Sequence, residues 1–217
     1  RMSYRGLPEP NKDGSATEVT CYAESVDGIT WTKPFLGLHE VNGTRENNVI
    51  LAGTAPYSHN FAPFYDAREG VPPEQRYKAL AGTSETGLAA FVSPDGLNWH
   101  MLQKGVITEG AFDSQNLMFW DPAVGLYREY HRGFNEGRRD ILTATSADPL
   151  HFPPGQWLRY TGAPDEQLYT NQIAPYYRAP HILMGFPARY QEREWSEPLY
   201  RLPDLGDRLA RATAHER

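Results

Sequence analysis

Three short stretches of this chain resemble one another and recur at a nearly constant spacing. They read SHNFAPFYD at 58–66, SQNLMFWD at 114–121 and NQIAPYYR at 171–178. In each stretch an amide precedes an apolar run that ends in two aromatic residues. The aligned amides Asn60, Gln115 and Gln172 are 55 and 57 residues apart. A period of this size indicates a repeat protein made of similar structural units.

A second pattern recurs in step with the first and predicts a tight turn. It reads SVDGITW at 25–31, SPDGLNW at 93–99 and, more weakly, SADPLHF at 146–152. Ser and Asp side chains close turns by bonding to their own backbone. We therefore expect Asp27, Asp95 and Asp148 to be structural, and the aromatic residue that ends each pattern to pack the next strand into the core.

Tyrosine-bearing segments with strand-like alternation complete the unit. They read RMSYRG at 1–6, RYKALAG at 76–82 and LYREYHRG at 126–133. Apolar segments just before the turns also favour strands: EVTCYAE at 18–24, GLAAFV at 87–92 and DILTAT at 140–145. One unit is thus a four-stranded antiparallel meander of about 50–60 residues, typical of a β-propeller blade. A pattern compatible with a helix occurs in the tail, at 205–217.

The sequence predicts an all-β chain that forms one β-propeller domain over residues 1–217, with three to four blades of a five-bladed ring. The predicted blades span 1–44, 45–108, 109–165 and 166–217. Because the chain opens on a tyrosine-bearing strand, we expect the first blade to lack its innermost strand and the domain to be incomplete at its N-terminal side.

The composition limits the classes of partner that this chain is expected to bind. The formal charge is −6 and the isoelectric point about 5.6, which argues against nucleic acid, since that partner needs a basic surface. No apolar run is long enough to span a membrane, and no signal peptide is visible. The localisation stays open, a periplasmic or extracellular location included, and so does the oligomeric state. Cys21, the one cysteine, excludes an internal disulfide and a cysteine-based metal site, and we expect it to be buried. No metal and no cofactor are predicted.

The polar openings of the three inner strands are the predicted site. In a propeller these strands converge on a central channel, and ligands bind at one end of it. Amides and hydroxyls suit a carbohydrate, whose hydroxyls both donate and accept hydrogen bonds. The predicted substrate-binding residues are His59, Asn60, Gln115, Asn116, Asn171, Gln172 and Arg132. The alternative is that these groups bond to one another and to trapped water.

Asp113 is the predicted catalytic carboxylate, because it opens an inner strand two residues before Gln115, on the same face. We expect Asp66 and Asp121, which follow their strands, to cap turns. Other acids that could donate a proton are Glu109, Glu129 and Glu166.

These motifs resemble the five-bladed propeller glycoside hydrolases of family 43, the arabinanases and β-xylosidases, and the related invertase-like enzymes. The likeness rests on HNFAPFYD, RYKALAG and SPDGLNW and covers about residues 1–190. It implies glycoside hydrolysis by inner-strand acids, one protonating the leaving oxygen while another activates water or attacks carbon. Of the chain's residues only Asp113 matches such an acid; His59 and Asn60 stand where the second blade would carry one.

Two other interpretations remain open. A sialidase-like Asp-box propeller would need an arginine triad, for which Arg132, Arg139 and Arg189 are available. A non-catalytic carbohydrate-binding or scaffold propeller would use the same channel without hydrolysis.

Overall fold

A computed structural model describes residues 1–9, 14–164 and 166–211. Within them the chain is built from antiparallel β-sheets, with two short helices near the C-terminal end. The all-β prediction is confirmed. No described helix is long and apolar enough to cross a membrane.

The first sheet has three strands: β1 (Met2–Gly6), β2 (Val19–Ala23) and β3 (Val49–Leu51), in the order β1-β2-β3. Every residue of β2 is buried because β2 is the middle strand and both of its faces are covered. Cys21 is buried there, as expected, in a small apolar cluster with Val19 and Val49.

The second sheet is a four-stranded meander in chain order. Its strands are β4 (Ala62–Tyr65), β5 (Tyr77–Thr83), β6 (Gly87–Ser93) and β7 (His100–Ile107). The third sheet repeats this arrangement with β8 (Leu117–Asp121), β9 (Leu126–Asn135), β10 (Arg138–Ser146) and β11 (Gln156–Trp157). The predicted inner and tyrosine-bearing strands are therefore the first and second strands of both sheets.

Two ribbons follow. β12 (Gln167–Leu168) pairs with β15 (Arg189–Tyr190), and β13 (Ala174–Tyr176) pairs with β14 (Ala179–Met184). The helices are α1 (Glu197–Tyr200) and α2 (Leu205–Arg211). The second helix lies inside the predicted helical tail, of which residues 212–217 lie outside the described residues.

The second and third sheets pack against each other through an apolar interface. Leu80, Leu88 and Ala90 of the second sheet meet Met118 of β8 and Phe112, which lies on the loop before β8. The side chain of Asp66 bonds to both sheets at this interface. It is fully buried, and it accepts hydrogen bonds from Lys78 Nζ of β5 at 2.7 Å and from Tyr127 Oη of β9 at 2.6 Å. The backbone N–H of Arg68 also donates to Asp66, so the predicted turn cap is present alongside the interface contacts.

The Ser-Asp turns form as predicted. In the turn after β6, Asp95 Oδ1 accepts hydrogen bonds from the backbone N–H groups of Leu97 and Asn98, both at 2.8 Å. Asp27 makes the same bonds in the turn after β2, and Asp148 accepts from Leu150 in the turn after β10. Asp121 caps its own turn through the N–H of Ala123.

The aromatic residues that end these turns differ in burial. Trp99 and Phe152 pack against the apolar core, as expected. Trp31 is 38% exposed, so the prediction that it packs into the core is wrong. Its side chain lines an open groove beside the first sheet.

The predicted repeat boundaries stay predictions. Asp165, at the end of the third predicted blade, lies outside the described residues.

Candidate functional site

The first strands of the second and third sheets share one cavity with a strand of the C-terminal ribbons. A space of about 700 Å³ is lined by β4, by β8 and by residues 173–175 at β13, with Phe64, Leu117 and Ile173 among its apolar walls. These are the three stretches that resemble one another in the sequence. Their polar openings are adjacent as well, because Asn60 and Gln115 line the same neighbouring groove.

Hydrogen bonds join the openings of the third sheet and the C-terminal ribbons. Ser114 Oγ donates to the carbonyl of Tyr169 at 2.7 Å, and Asn171 Nδ2 donates to the carbonyl of Gln115 at 2.9 Å. The N–H of Gln172 donates to Gln115 Oε1 at 3.2 Å. The structure thus brings Gln115, Asn171 and Gln172 together.

Hydrogen bonds also join β1 and β2 of the first sheet to the opening of the second sheet. Arg5 Nη2 donates to Asn60 Oδ1 at 2.7 Å, and Thr20 Oγ1 donates to the carbonyl of Ser58 at 3.3 Å. Asn60 has φ +54° and its counterpart Gln172 has φ +47°, which is the left-handed region. An Asn tolerates this conformation better than most residues, whereas a Gln has no such preference. Both openings nevertheless have the same local bend.

Each opening also holds a buried amide or hydroxyl atom that lacks a hydrogen-bond partner among the described residues. These atoms are Ser58 Oγ, Asn60 Nδ2, Asn116 Oδ1 and Asn171 Oδ1. Asn116 is fully buried, and its Nδ2 donates to the carbonyl of Phe112 at 2.9 Å. Native proteins leave few buried polar atoms unpaired, so such a set calls for a ligand or ordered water.

Asp113 lies on the loop before β8 with its side chain 65% exposed, and it forms an ion pair with Arg132 of β9. It is not among the residues that line the cavity or the groove. Arg132 is 3% exposed, and its guanidinium lies 5.0 Å from the ring centre of Tyr169. Burial lowers the pKa of Arg132, and the Tyr169 side chain partly opposes that shift.

His59 contacts Glu18, a residue that was not predicted from the sequence to lie in the site. His59 Nδ1 lies 3.2 Å from both carboxylate oxygens, and the N–H of Gly14 donates to Glu18 Oε2 at 2.8 Å. Glu18 is 1% exposed. No local signal marks it, because in the sequence it only precedes an apolar strand, and its side-chain partner His59 is 41 residues away.

Glu129 lies between the second and third sheets. It is 1% exposed, on the face of β9 that carries His131, whose Nδ1 lies 2.7 Å from Glu129 Oε2. Burial raises the pKa of Glu129, against the lowering effect of His131. A raised pKa suits a general acid, but this carboxyl is enclosed by protein.

The remaining predicted acids are on the surface. Glu109 is exposed on the loop after β7, and Glu166 forms an ion pair with Arg189 at 2.6 Å. Arg139 lies over the same Tyr169 ring as Arg132, at 5.9 Å, and over Tyr190 at 4.1 Å. Among the described residues, no three His, Cys, Asp or Glu side chains are grouped so that they could hold a metal ion.

Comparison with known proteins finds little similarity. No family model matches the chain, and no curated protein matches it. Among solved structures, the chain is similar to a thermostable family-43 glycoside hydrolase, with 15% sequence identity and a TM-score of 0.38. The match covers 55% of this chain and 39% of that protein's chain. A likeness of this degree is compatible with a distant relation and no more.

Proposed function

We propose that this chain forms consecutive blades of a glycoside hydrolase-like propeller and binds a carbohydrate where the openings of its inner strands meet. The observation that carries the proposal is the set of unpaired buried polar atoms at these openings: Ser58 Oγ, Asn60 Nδ2, Asn116 Oδ1 and Asn171 Oδ1. A sugar hydroxyl donates to an amide oxygen and accepts from an amide nitrogen, so one ligand class matches both kinds.

The shared cavity supports the same proposal. Its walls are mainly apolar and aromatic, and the neighbouring groove adds the polar groups of Asn60 and Gln115, a combination common in small-molecule sites. Phe64 and Trp120 offer faces on which a sugar ring could stack.

Asp113 is the proposed catalytic carboxylate, which Arg132 holds in place through their ion pair. Hydrolysis needs a second carboxyl group about 5–10 Å away. Glu109 and Glu166 are the exposed candidates for that role, since Glu129 is enclosed.

Binding is tested by titrating a panel of neutral oligosaccharides into the protein in a calorimeter. Asn60→Asp removes the unpaired N–H donor and keeps the oxygen that bonds to Arg5, so we expect at least about tenfold weaker binding. Asn42→Asp, at an exposed asparagine with a similar φ of +52°, is the matched control and should bind as the original chain does. Absence of binding to every sugar would refute the proposal.

Hydrolysis is tested with aryl furanosides and pyranosides. We expect Asp113→Asn to lower the rate at least about 100-fold and Asp207→Asn, on α2, to leave it unchanged. Binding without hydrolysis by the original chain would support the non-catalytic alternative, and unchanged activity in Asp113→Asn would remove Asp113 from the catalytic role.

One observation favours a second candidate, a sialidase-like function. Two of the three arginines available for a triad, Arg132 and Arg139, lie over the same Tyr169 ring. Arg189 is on the adjacent β15, opposite Leu168, where it pairs with Glu166. Sialosides therefore belong in the substrate panel, and cleavage of sialosides alone would select this candidate.

A further inference from the structure

Another cavity lies between the second and third sheets, at the end of the strands that is far from the openings. Its volume is about 300 Å³. Among the residues that line it, Arg68 follows β4, and Lys78 stands near the start of β5. On the other side, Tyr127 stands near the start of β9, and Leu150 lies in the turn after β10. The openings precede β4 and β8, so this cavity is separate from the place where they meet.

The walls of this cavity are mostly apolar. Phe91 and Val92 of β6 line it on the side of the second sheet, and Met118 of β8 and Leu150 line it on the side of the third. Leu102 of β7, which is 42% exposed, borders it as well. A cavity at the small end of the range for ligand sites, with such walls, suits the apolar body of a small organic molecule.

Arg68 brings to this cavity a cation that has no ionic partner among the described residues. Its guanidinium packs over the rings of Trp120 and Tyr127, 5.0 Å from each ring centre. Its Nε is buried without a hydrogen-bond partner, whereas Nη1 and Nη2 are not buried and make no hydrogen bond within the described part of the chain. Stacking uses the faces of a guanidinium, and its N–H groups lie in its plane. The two Nη atoms are therefore available to bind both oxygens of one anion.

The charges around Arg68 favour an anion. Three cations lie near the buried carboxylate of Asp66: Arg68, Arg76 and Lys78. Lys78 pairs with Asp66 at 2.7 Å, and Arg76 donates to three backbone carbonyls. Burial lowers the pKa of Lys78, and the charges of Arg68 and Arg76 add to that lowering. Asp66 thus balances one of the three positive charges, and two remain.

Asp148 limits the negative charge that a ligand can carry. It is the acid that lines the cavity, its side chain is 52% exposed, and its Oδ2 lies 2.7 Å from Nδ1 of His151. Because like charges repel, each further negative charge on a ligand would be repelled by Asp148. The arrangement therefore favours a ligand with a single negative charge, held at Arg68, over a phosphate.

We propose that this cavity binds a small organic monocarboxylate. The carboxylate pairs with Nη1 and Nη2 of Arg68 through two parallel hydrogen bonds, an arrangement that the planar guanidinium and carboxylate groups share. The apolar body of the ligand packs against Val92, Met118 and Leu150, which border the same space. The site goes beyond the proposed carbohydrate binding, because it uses none of the strand openings.

The probe is benzoate, a planar monocarboxylate with an apolar ring, titrated into the original chain in a calorimeter. We expect saturable binding. Benzamide has the same shape without the charge, so it should bind at least about tenfold more weakly than benzoate. Inorganic phosphate tests the preference for a monocarboxylate, and it should not displace benzoate.

Two variants at the cavity should change the affinity for benzoate in opposite directions. Arg68→Gln removes the cation and should weaken binding at least about tenfold. Asp148→Asn removes the repelling charge and keeps an oxygen that can accept from the N–H of Leu150, so it should tighten binding about twofold. Arg159→Gln, at an exposed arginine after β11, is the matched control and should bind benzoate as the original chain does. Circular dichroism melting verifies that the variants fold, and if Arg68→Gln does not fold, Asp148→Asn decides.

Four results would overturn the proposal. They are no saturable binding of benzoate, equal affinity for benzamide, unchanged affinity in folded Arg68→Gln, and weaker affinity in Asp148→Asn. Displacement of benzoate by phosphate would replace the monocarboxylate with a phosphate ligand. Since Arg68 also borders the cavity shared by β4, β8 and β13, displacement of benzoate by a neutral oligosaccharide would assign Arg68 to the carbohydrate site instead. The carbohydrate proposal is tested separately, by binding of neutral oligosaccharides and by Asn60→Asp, so the two proposals can fail independently.

Discussion

At the scale of single residues, the buried charged side chains have structural roles that cannot be predicted from their positions in the sequence. Asp66 follows a strand and caps a turn, as the sequence predicts, but its second oxygen accepts from both Lys78 and Tyr127. Lys78 is 3% exposed, and burial lowers its pKa against the opposing effect of Asp66. The pair is therefore a fully enclosed ion pair, and neither charge can be solvated if the other is removed.

We predict that Lys78→Ala destabilises the chain by about 3–5 kcal/mol, because it leaves Asp66 charged and buried without its cation. The double variant Asp66→Asn with Lys78→Met should cost less than Lys78→Ala, since no charge remains inside. Urea unfolding gives both free energies. A loss below about 1 kcal/mol in Lys78→Ala would show that the pair is not buried in solution.

At the scale of secondary-structure elements, the Ser-Asp turns are the best-determined features. Burial alone would raise the pKa of Asp95, but the hydrogen bonds from Asn98, Leu97 and Ser93 outweigh it and lower the pKa to about 2. An unfolded Asp titrates near 3.9. The carboxylate therefore contributes stability above about pH 4, and this contribution is lost as the pH falls toward 2.

We predict that Asp95→Asn flattens the pH dependence of stability between about pH 4 and 2. The carboxylate is only partly buried, so the difference should stay below about 1 kcal/mol. Melting temperatures of the two proteins from pH 2 to 6 measure it. The control is Asp207→Asn, on α2, whose curve should follow that of the original chain; equal slopes in all three proteins would contradict the assignment.

Local patterns explain which elements the sequence could predict. The strands β1, β5 and β9 alternate around tyrosines, and the turns carry their own hydrogen-bonding side chains, so neighbouring residues encode both. The short strands β11, β12 and β15 have two residues each and exist only through their partners. The same distinction holds in the candidate site. The amide openings can be predicted because they recur at a fixed spacing in the sequence, whereas Glu18 and the Asp66–Tyr127 contact depend on residues that are distant along the chain.

At the scale of the whole molecule, the second and third sheets are joined by a hydrogen bond inside an apolar interface. Tyr127 of β9 is fully buried, and its hydroxyl donates to Asp66, which follows β4 of the second sheet, at 2.6 Å. Burial and the neighbouring carboxylate both raise the pKa of this phenol, so it stays a donor at all ordinary pH values.

We predict that Tyr127→Phe lowers stability by about 1–3 kcal/mol, since it leaves a buried carboxylate oxygen with one partner fewer. Hydrogen exchange should accelerate in β5 and β9 together, because both sheets lose the same contact. Tyr177→Phe, at a side chain that is 75% exposed, should change neither quantity. Faster exchange in β9 alone would show that the two sheets open independently.

The contacts between strand openings have a further consequence for cooperativity. The bond from Arg5 to Asn60 and the bond from Ser114 to Tyr169 each join residues 55 apart, and the bond from Asn171 to Gln115 joins residues 56 apart. These separations match the spacing of 55 and 57 residues between the aligned amides, so each bond connects one sheet or ribbon to the next along the chain. In such an array the free energy is a sum of unit terms and nearest-neighbour terms. A substitution that removes one of these bonds would then weaken one coupling and leave the others intact.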